Sequence, residues 1–249
     1  MAQGKFGPSS TLLLLDGYDI LSNKVTSMRH KVTAETTDTT GLGDTFEENT
    51  PTGIKTVTVS QDGAFWDTTA LYSHAAFSTS VPGTPQTAVR VMCMSMTNTH
   101  AYDFYGISGA YSSSYEVLNT GKELTKINVE YTCTGVADVN GKILQLLQAK
   151  TADWNAAAVD AQNGASSPDG GSGYLQCTAG SGFSAFVGKI QHSADSSSWA
   201  DLITFSTSVA DPFAERKTVT GTVNRYLRFT GDVTGTGTVT AFAGFSRNL

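Results

Sequence analysis

Apolar residues along this chain come in short runs that alternate with polar ones, and clusters of Gly, Pro, Asn, Asp or Ser cut the runs at roughly ten-residue spacing. A period of two is what a strand with one buried face requires, so the pattern predicts an all-β protein. "IKTVTVSQ" (54–61) reads as a strand, with Ile54, Val57 and Val59 set among polar residues. "AVRVMCMSMT" (88–97) puts Val89, Val91, Cys93 and Ser95 on one face and Arg90, Met92, Met94 and Met96 on the other. "KINVEYTC" (126–133) aligns Ile127, Val129, Tyr131 and Cys133. Near the end, "RYLRFTG" and "TVTAFAGF" read as the two arms of a hairpin joined by "DVTGTG", and Asn140-Gly141 reads as a type I′ turn. Helical spacing is scarce: "DTTALYSHAAF" (67–77) fits a helix with Asp67 as its N-cap, whereas "VNGKILQLLQAKTADW" (139–154) reads as strand.

A Gly-, Ser- and Asn-rich stretch, "DAQNGASSPDGGSGYLQC" (160–177), predicts a loop or linker. The chain divides into two parts, 1–140 and 141–249, with the boundary between 135 and 145. The longest segment without apolar alternation is "ETTDTTGLGDTFEENTPTG" (35–53), which carries Glu35, Asp38, Asp44, Glu47 and Glu48 and no basic residue. A compact domain rarely keeps so long a loop without a use, so the segment reads either as a solvated loop or as an ordered assembly loop.

Composition narrows the classes. Charged residues are 15% of the chain, well below an ordinary soluble domain, as expected of a surface that meets other subunits or of a loop-rich β protein. The net charge of −6 argues against binding nucleic-acid phosphates. The excess is local: residues 1–140 hold 14 acidic and 8 basic residues, residues 141–249 hold 8 of each. Cys93, Cys133 and Cys177 are far apart and read as reduced, buried thiols. "TLLLLDGYDIL" is too short an apolar run for a membrane span and lacks the flanks of a signal peptide.

Candidate chemistry is sparse. "KIQHSADSSSWADLITF" (189–205) holds His192, Ser193 and Asp195, the residue set of a hydrolytic triad, but neither a G-x-S-x-G elbow nor an oxyanion loop accompanies them. It reads as strand, turn, strand, with Ser and Asp serving the turn. His30, His74, His100 and His192 show no metal-ligand spacing, "GSGYLQCTAGSG" lacks the context of a phosphate loop, and "DVNGK" lacks the ligand run of a calcium loop. No catalytic residue, cofactor or metal is expected.

Two groups of segments carry a resemblance. "DGYDI" followed by "ETTDTTGLGDTFEENTPTGIKTVTVSQDGAFWDT" resembles the amino-terminal part of tail tube (major tail) proteins of long-tailed, non-contractile bacteriophages, and "GSGYLQC", "GKIQHSADSSSWADLITF", "AERKTVTGTVNRYLRF" and "AFAGF" resemble the carboxy-terminal part. The resemblance implies an all-β fold, a β-sandwich or partly closed barrel, with 141–249 as a second β domain or a second tube-like repeat. It implies a non-enzymatic virion protein, assembled in the bacterial cytoplasm, that self-associates into hexameric or trimeric pseudo-hexameric rings. The rings stack into a tube that conducts DNA without binding it specifically, and the implied partners are the tape measure protein and the tail terminator and tip proteins. On this reading Glu35, Asp38, Asp44, Glu47 and Glu48 contact the next ring or face the channel, and Asp62 and Asp67 line the channel, where negative charge keeps DNA mobile. The alternatives are a capsid decoration protein, a host-surface-binding sandwich displaying Trp66, Trp154 or Trp199, and a secreted hydrolase.

Overall fold

The computed structural model describes residues 12–19, 25–43, 45–65, 90–95, 103–133, 137–161, 165–209 and 211–248. The regular structure among them is entirely strand: β1 (Leu12–Leu15), β2 (Tyr18–Asp19), β3 (Ser27–Asp38), β4 (Asn49–Phe65), β5 (Arg90–Ser95), β6 (Asp103–Leu118), β7 (Lys126–Cys133), β8 (Ala137–Lys150), β9 (Trp154–Asn155), β10 (Val159–Asp160), β11 (Gly171–Ser193), β12 (Ala200–Thr204), β13 (Phe213–Val219) and β14 (Tyr226–Arg247). They form one 14-stranded antiparallel sheet that does not close into a barrel. The helix expected at 67–77 lies outside the described residues.

β6 organises the first part. β7 and then β8 run along one of its edges, Lys126–Cys133 opposite Leu118–Ala110 and Ala137–Lys142 opposite Ile107–Asp103. β7 continues the sheet to β4 and β3, and β8 continues it to β14. On the other edge β6 pairs with β5, which pairs with β1. Three strands separate β1 from β4, yet Leu13 and Leu15 share a core with Val57, Val59, Ile127, Val129 and Tyr131. The sheet therefore curls and packs its own ends face to face.

The carboxy-terminal strands are organised around one bent ribbon of β11 and β14. β11 and β14 pair over almost their whole lengths, with register shifts between Cys177 and Ala185. Such bulges bend a strand and increase its twist. The bend folds β11 back on itself, because a Cβ built on Gly173 would lie 2.7 Å from Ile190 Cδ1. Gly182 and Gly235 take positive φ (70° and 105°) at this corner, which only glycine adopts at low cost. Leu175, Phe186, Ile190, Ile203, Phe229 and Phe245 fill the resulting core. The stretch "RYLRFTGDVTGTGTVTAFAGF" is thus one continuous strand and not a hairpin, since its partner runs past "DVTGTG" without a turn.

Where the two parts meet, a third core joins Leu12 and Leu14 to Phe104, Ile143, Tyr174 and Phe242. The Phe104 ring occupies the space above two glycines: a Cβ on Gly141 would come within 2.2 Å of it and one on Gly244 within 2.4 Å. Gly141 lies inside β8, so the expected Asn140-Gly141 turn is not formed. This glycine is there to admit an aromatic ring. The same holds for "GSGYLQC", expected as loop or linker: Gly171–Cys177 is fully buried strand, with the Phe245 ring over Gly171. The I′-like turn of this region is Asp16-Gly17, positive φ at both residues, between β1 and β2. The Gly17 N–H donates to the buried Gln176 Oε1 at 2.6 Å, which fastens the turn to β11.

Candidate assembly surface

Residues 35–53, expected as a loop, are strand at both ends, 35–38 in β3 and 49–53 in β4. β3 and β4 pair from Ser27↔Asp62 up to Asp38↔Asn49, leaving 39–48 as the connection. Near the base the pair covers the core, with Met28 packed against it and the His30 ring tilted against Tyr105, centroids 4.7 Å apart. Residues 31–43 and 45–55 are exposed throughout, so beyond the base the hairpin is an arm with solvent on both faces. Alternation is missing because no face of the arm is buried in the chain itself.

Hydroxyl and carboxylate groups hold its tip. Asp38 Oδ1 accepts from the Thr40 hydroxyl at 2.5 Å and the Thr40 amide at 2.9 Å, which keeps this carboxyl below the usual carboxylate range. The Thr40 hydroxyl accepts from the Glu48 amide, the Thr39 amide donates to the Glu48 carbonyl, and the Thr52 hydroxyl donates to the Glu35 carbonyl. Asn49 Nδ2 donates to Glu47 Oε1 at 3.2 Å. The connection is ordered by its own polar groups.

Glu35, Asp38, Glu47 and Glu48 come together on the arm, all exposed. Asp62 lies at the opposite end of β4, exposed, where it accepts from the Ser27 hydroxyl at 2.8 Å. Eleven ladder positions separate it from the Asp38–Asn49 pair, about 35 Å of strand. Asp44 and Asp67 lie outside the described residues.

What sequence reasoning missed is the apolar content of this surface. Of nine large hydrophobic side chains exposed among the described residues, Val32, Leu42, Phe46 and Ile54 are on the arm, and Tyr111, Val117, Leu118 and Leu124 are on β6 or the β6–β7 connection. Leu42 (111%), Phe46 (82%) and Leu124 (72%) are the most open. Only Val209 belongs to the second part. The exposed apolar side chains fall in separate groups, Leu42 and Phe46 at the tip of the arm and Val117, Leu118 and Leu124 around the β6–β7 connection.

The other candidates among the described residues have local partners within the fold. Asp195 Oδ1 accepts from the Ser193 hydroxyl and from the amides of Ser197 and Ser198, each at 2.9 Å, and these bonds hold its carboxyl below the usual range. His192 Nδ1 accepts from the Asn224 amide. The stretch is strand, turn, strand as expected. Cys177 is a buried thiol pushed up to about 12 by burial and by Asp211, and Cys133 is half-buried and donates to the Ser108 carbonyl. Trp154 stacks on Phe186 inside the second core and donates to Gln145 Oε1, while the Arg228 guanidinium covers half-buried Trp199 at 4.3 Å. Neither is an open stacking platform; Trp66, His74 and His100 lie outside the described residues, as does the Cys93 side chain.

Arg216 was not foreseen. It donates from Nη2 to Asp138 Oδ2 at 3.2 Å and to the Ser172 hydroxyl at 2.7 Å, and from Nε to Tyr174 Oη at 3.0 Å, while Tyr174 donates to Asp138. The cluster ties β8, β11 and β13 together. Among the described residues no group of His, Cys, Asp and Glu is arranged to hold a metal, and no helix is long and apolar enough to cross a membrane.

No protein-family model matches the chain, and no curated protein does. Among solved structures, the tail of an empty gene transfer agent particle with C6 symmetry is similar at 11% identity and a TM-score of 0.39, covering 55% of this chain and 99% of that one. The virion of a native gene transfer agent particle is similar at 12% identity and 0.39, covering 56% and 99%. The SPP1 Dit protein, described as a hub adsorption apparatus in phages infecting Gram-positive hosts, is similar at 11% identity and 0.35, covering 96% and 99%.

Proposed function

We propose that this chain is a structural subunit of a bacteriophage tail that self-assembles into stacked rings forming the tail tube, a conduit for DNA delivery. The observation that carries the reading is the arm: a polar-ordered hairpin that buries none of its outer half yet displays Val32, Leu42, Phe46 and Ile54. A side chain such as Phe46 gains about 1.5–3 kcal/mol when fully buried, so a second protein surface is the natural cover for the tip. The sequence resemblance to tail tube proteins agrees with it. The subunit works as a virion component without catalysis. The tape measure protein occupies the channel before DNA does, and the terminator and tip proteins bind the tube ends. The acidic arm contacts the neighbouring ring, while exposed Asp62 is the channel-facing candidate, where its charge repels DNA.

Electron micrographs of the purified full chain test this directly. Stacked rings with an axial hole are expected, and deletion of residues 38–50 leaves a folded chain that forms no tubes. A chain that stays monomeric at every concentration, or a deletion variant that builds tubes of normal length, refutes the proposal.

A further inference from the structure

The arm tip has a specific receiving surface in the same fold. β4 runs from Asn49 at the tip to Phe65, which pairs with Lys126 at the start of β7. The β6–β7 connection, residues 119–125, therefore caps the end of the ladder opposite the tip, sixteen residues away, about 50 Å of strand. Both ends are apolar: Leu42 and Phe46 at the tip, Val117, Leu118 and Leu124 at the other. Set at opposite ends of one continuous ladder, they cannot meet within a chain. They meet when a second copy is displaced along the ladder.

Charge disfavours the symmetric pairing of two tips. Segment 35–53 carries Glu35, Asp38, Asp44, Glu47 and Glu48 with no cation, so two tips face to face oppose like charges. The receiving end is mixed: Lys122 is exposed, Lys126 is ion-paired to Glu123 at 2.8 Å, and the carboxylates of Glu116 and Asp62 are exposed nearby. An acidic tip on this end meets Lys122 and Lys126 among three carboxylates instead of a second tip that carries no cation.

We infer that the arm tip of one copy docks on the β6–β7 connection of a copy in the next ring, Phe46 and Leu42 against Leu124 and Leu118, with Lys122 facing the tip carboxylates. The contact is heterologous, so it leaves both ends open for another copy and propagates without limit. This rests on the stacked-ring reading and adds to it the partner surface.

Cysteine pairing in assembled full-length protein tests it. Phe46→Cys/Leu124→Cys, oxidised after assembly, is expected to give a ladder of covalent multimers on non-reducing gels, extending past the number of subunits in one ring. Each single variant gives no ladder. A Lys122→Glu variant, whose site is exposed and outside every core, is expected to slow tube growth at least tenfold, and Glu47→Lys/Glu48→Lys added to it restores growth. Tubes in the micrographs with no ladder in the double variant overturn the docking and leave the tube reading standing. So does a ladder that stops at one ring, which places the contact inside a ring, and so does dimer formation by Phe46→Cys alone. Absence of rings from the unmodified chain overturns both.

Discussion

Phe104→Ala is the sharpest probe of how the two parts are joined. The ring is fully buried and makes edge contacts with Tyr174 (5.5 Å, 77°) and Phe242 (5.8 Å, 78°). Truncating a buried Phe costs about 3–5 kcal/mol, and each lost aromatic pair accounts for about 0.5–1.5 of it. The upper half of that range applies, because the ring stands over Gly141 and Gly244, which have no side chains to relax into the hole. We expect a loss of about 4 kcal/mol, or about 10 °C in Tm. Gly141→Ala tests the other partner: its Cβ would lie 2.2 Å from the Phe104 ring, and overpacking of this kind costs about 1–3 kcal/mol. In the double variant the new methyl enters the vacated space. It should be no less stable than Phe104→Ala alone, which makes the pair non-additive by about 2 kcal/mol. Unfolding followed by tryptophan fluorescence, at concentrations too low for assembly, measures all three. Additive losses, or a Phe104→Ala shift under about 3 °C, refute the packing argument.

The turn at 193–198 predicts a pH effect. Asp195 has a depressed folded pKa, first through the amides of Ser198 and Ser197, so its contribution is complete above the unfolded value near pH 4 and is lost as pH falls towards the folded one. Asp195→Ala should flatten the acid limb of the stability profile below about pH 4 and leave assembly unchanged; parallel wild-type and variant limbs would contradict the capping role. Cys177, with its pKa pushed up to about 12, should resist iodoacetamide at pH 8 in the folded chain and be alkylated only on unfolding, as read by peptide mass spectrometry. Rapid alkylation in native buffer would contradict its burial.

Strands with one buried face were legible. In β7, Ile127, Val129 and Tyr131 alternate with exposed or half-buried positions, and the pattern shows in the residues alone. Glycine was the source of error. Asn140-Gly141 and "GSGYLQC" carry turn composition, but their glycines admit the rings of Phe104 and Phe245, a long-range role that no local pattern reveals. Asp16-Gly17 carries the same kind of local signal and does form the turn, because Leu15 and Tyr18 flank it in register. The acidic residues of 35–53 can be named from the sequence, but that Glu35, Asp38, Glu47 and Glu48 stand on an exposed hairpin cannot. A hairpin with solvent on both faces has no alternation to read, so the exposure of Phe46 and Leu42 is not visible in the residues alone.

The tip chemistry follows from what an assembly arm must do before it is covered. Fixing the backbone of one residue costs about 1–2 kcal/mol, so ordering a disordered ten-residue connection would set roughly 10–20 kcal/mol against docking. That exceeds what a few apolar side chains at about 1.5–3 kcal/mol each can offset. Hydrogen bonding among Asp38, Thr39, Thr40, Glu48 and Thr50 orders the connection in the unassembled chain. Threonine suits such an arm, because its branched side chain favours the extended backbone and its hydroxyl bonds the neighbouring strand without needing a core. The composition that made 35–53 look like a loop is the one that lets a hairpin stand in water with both faces exposed.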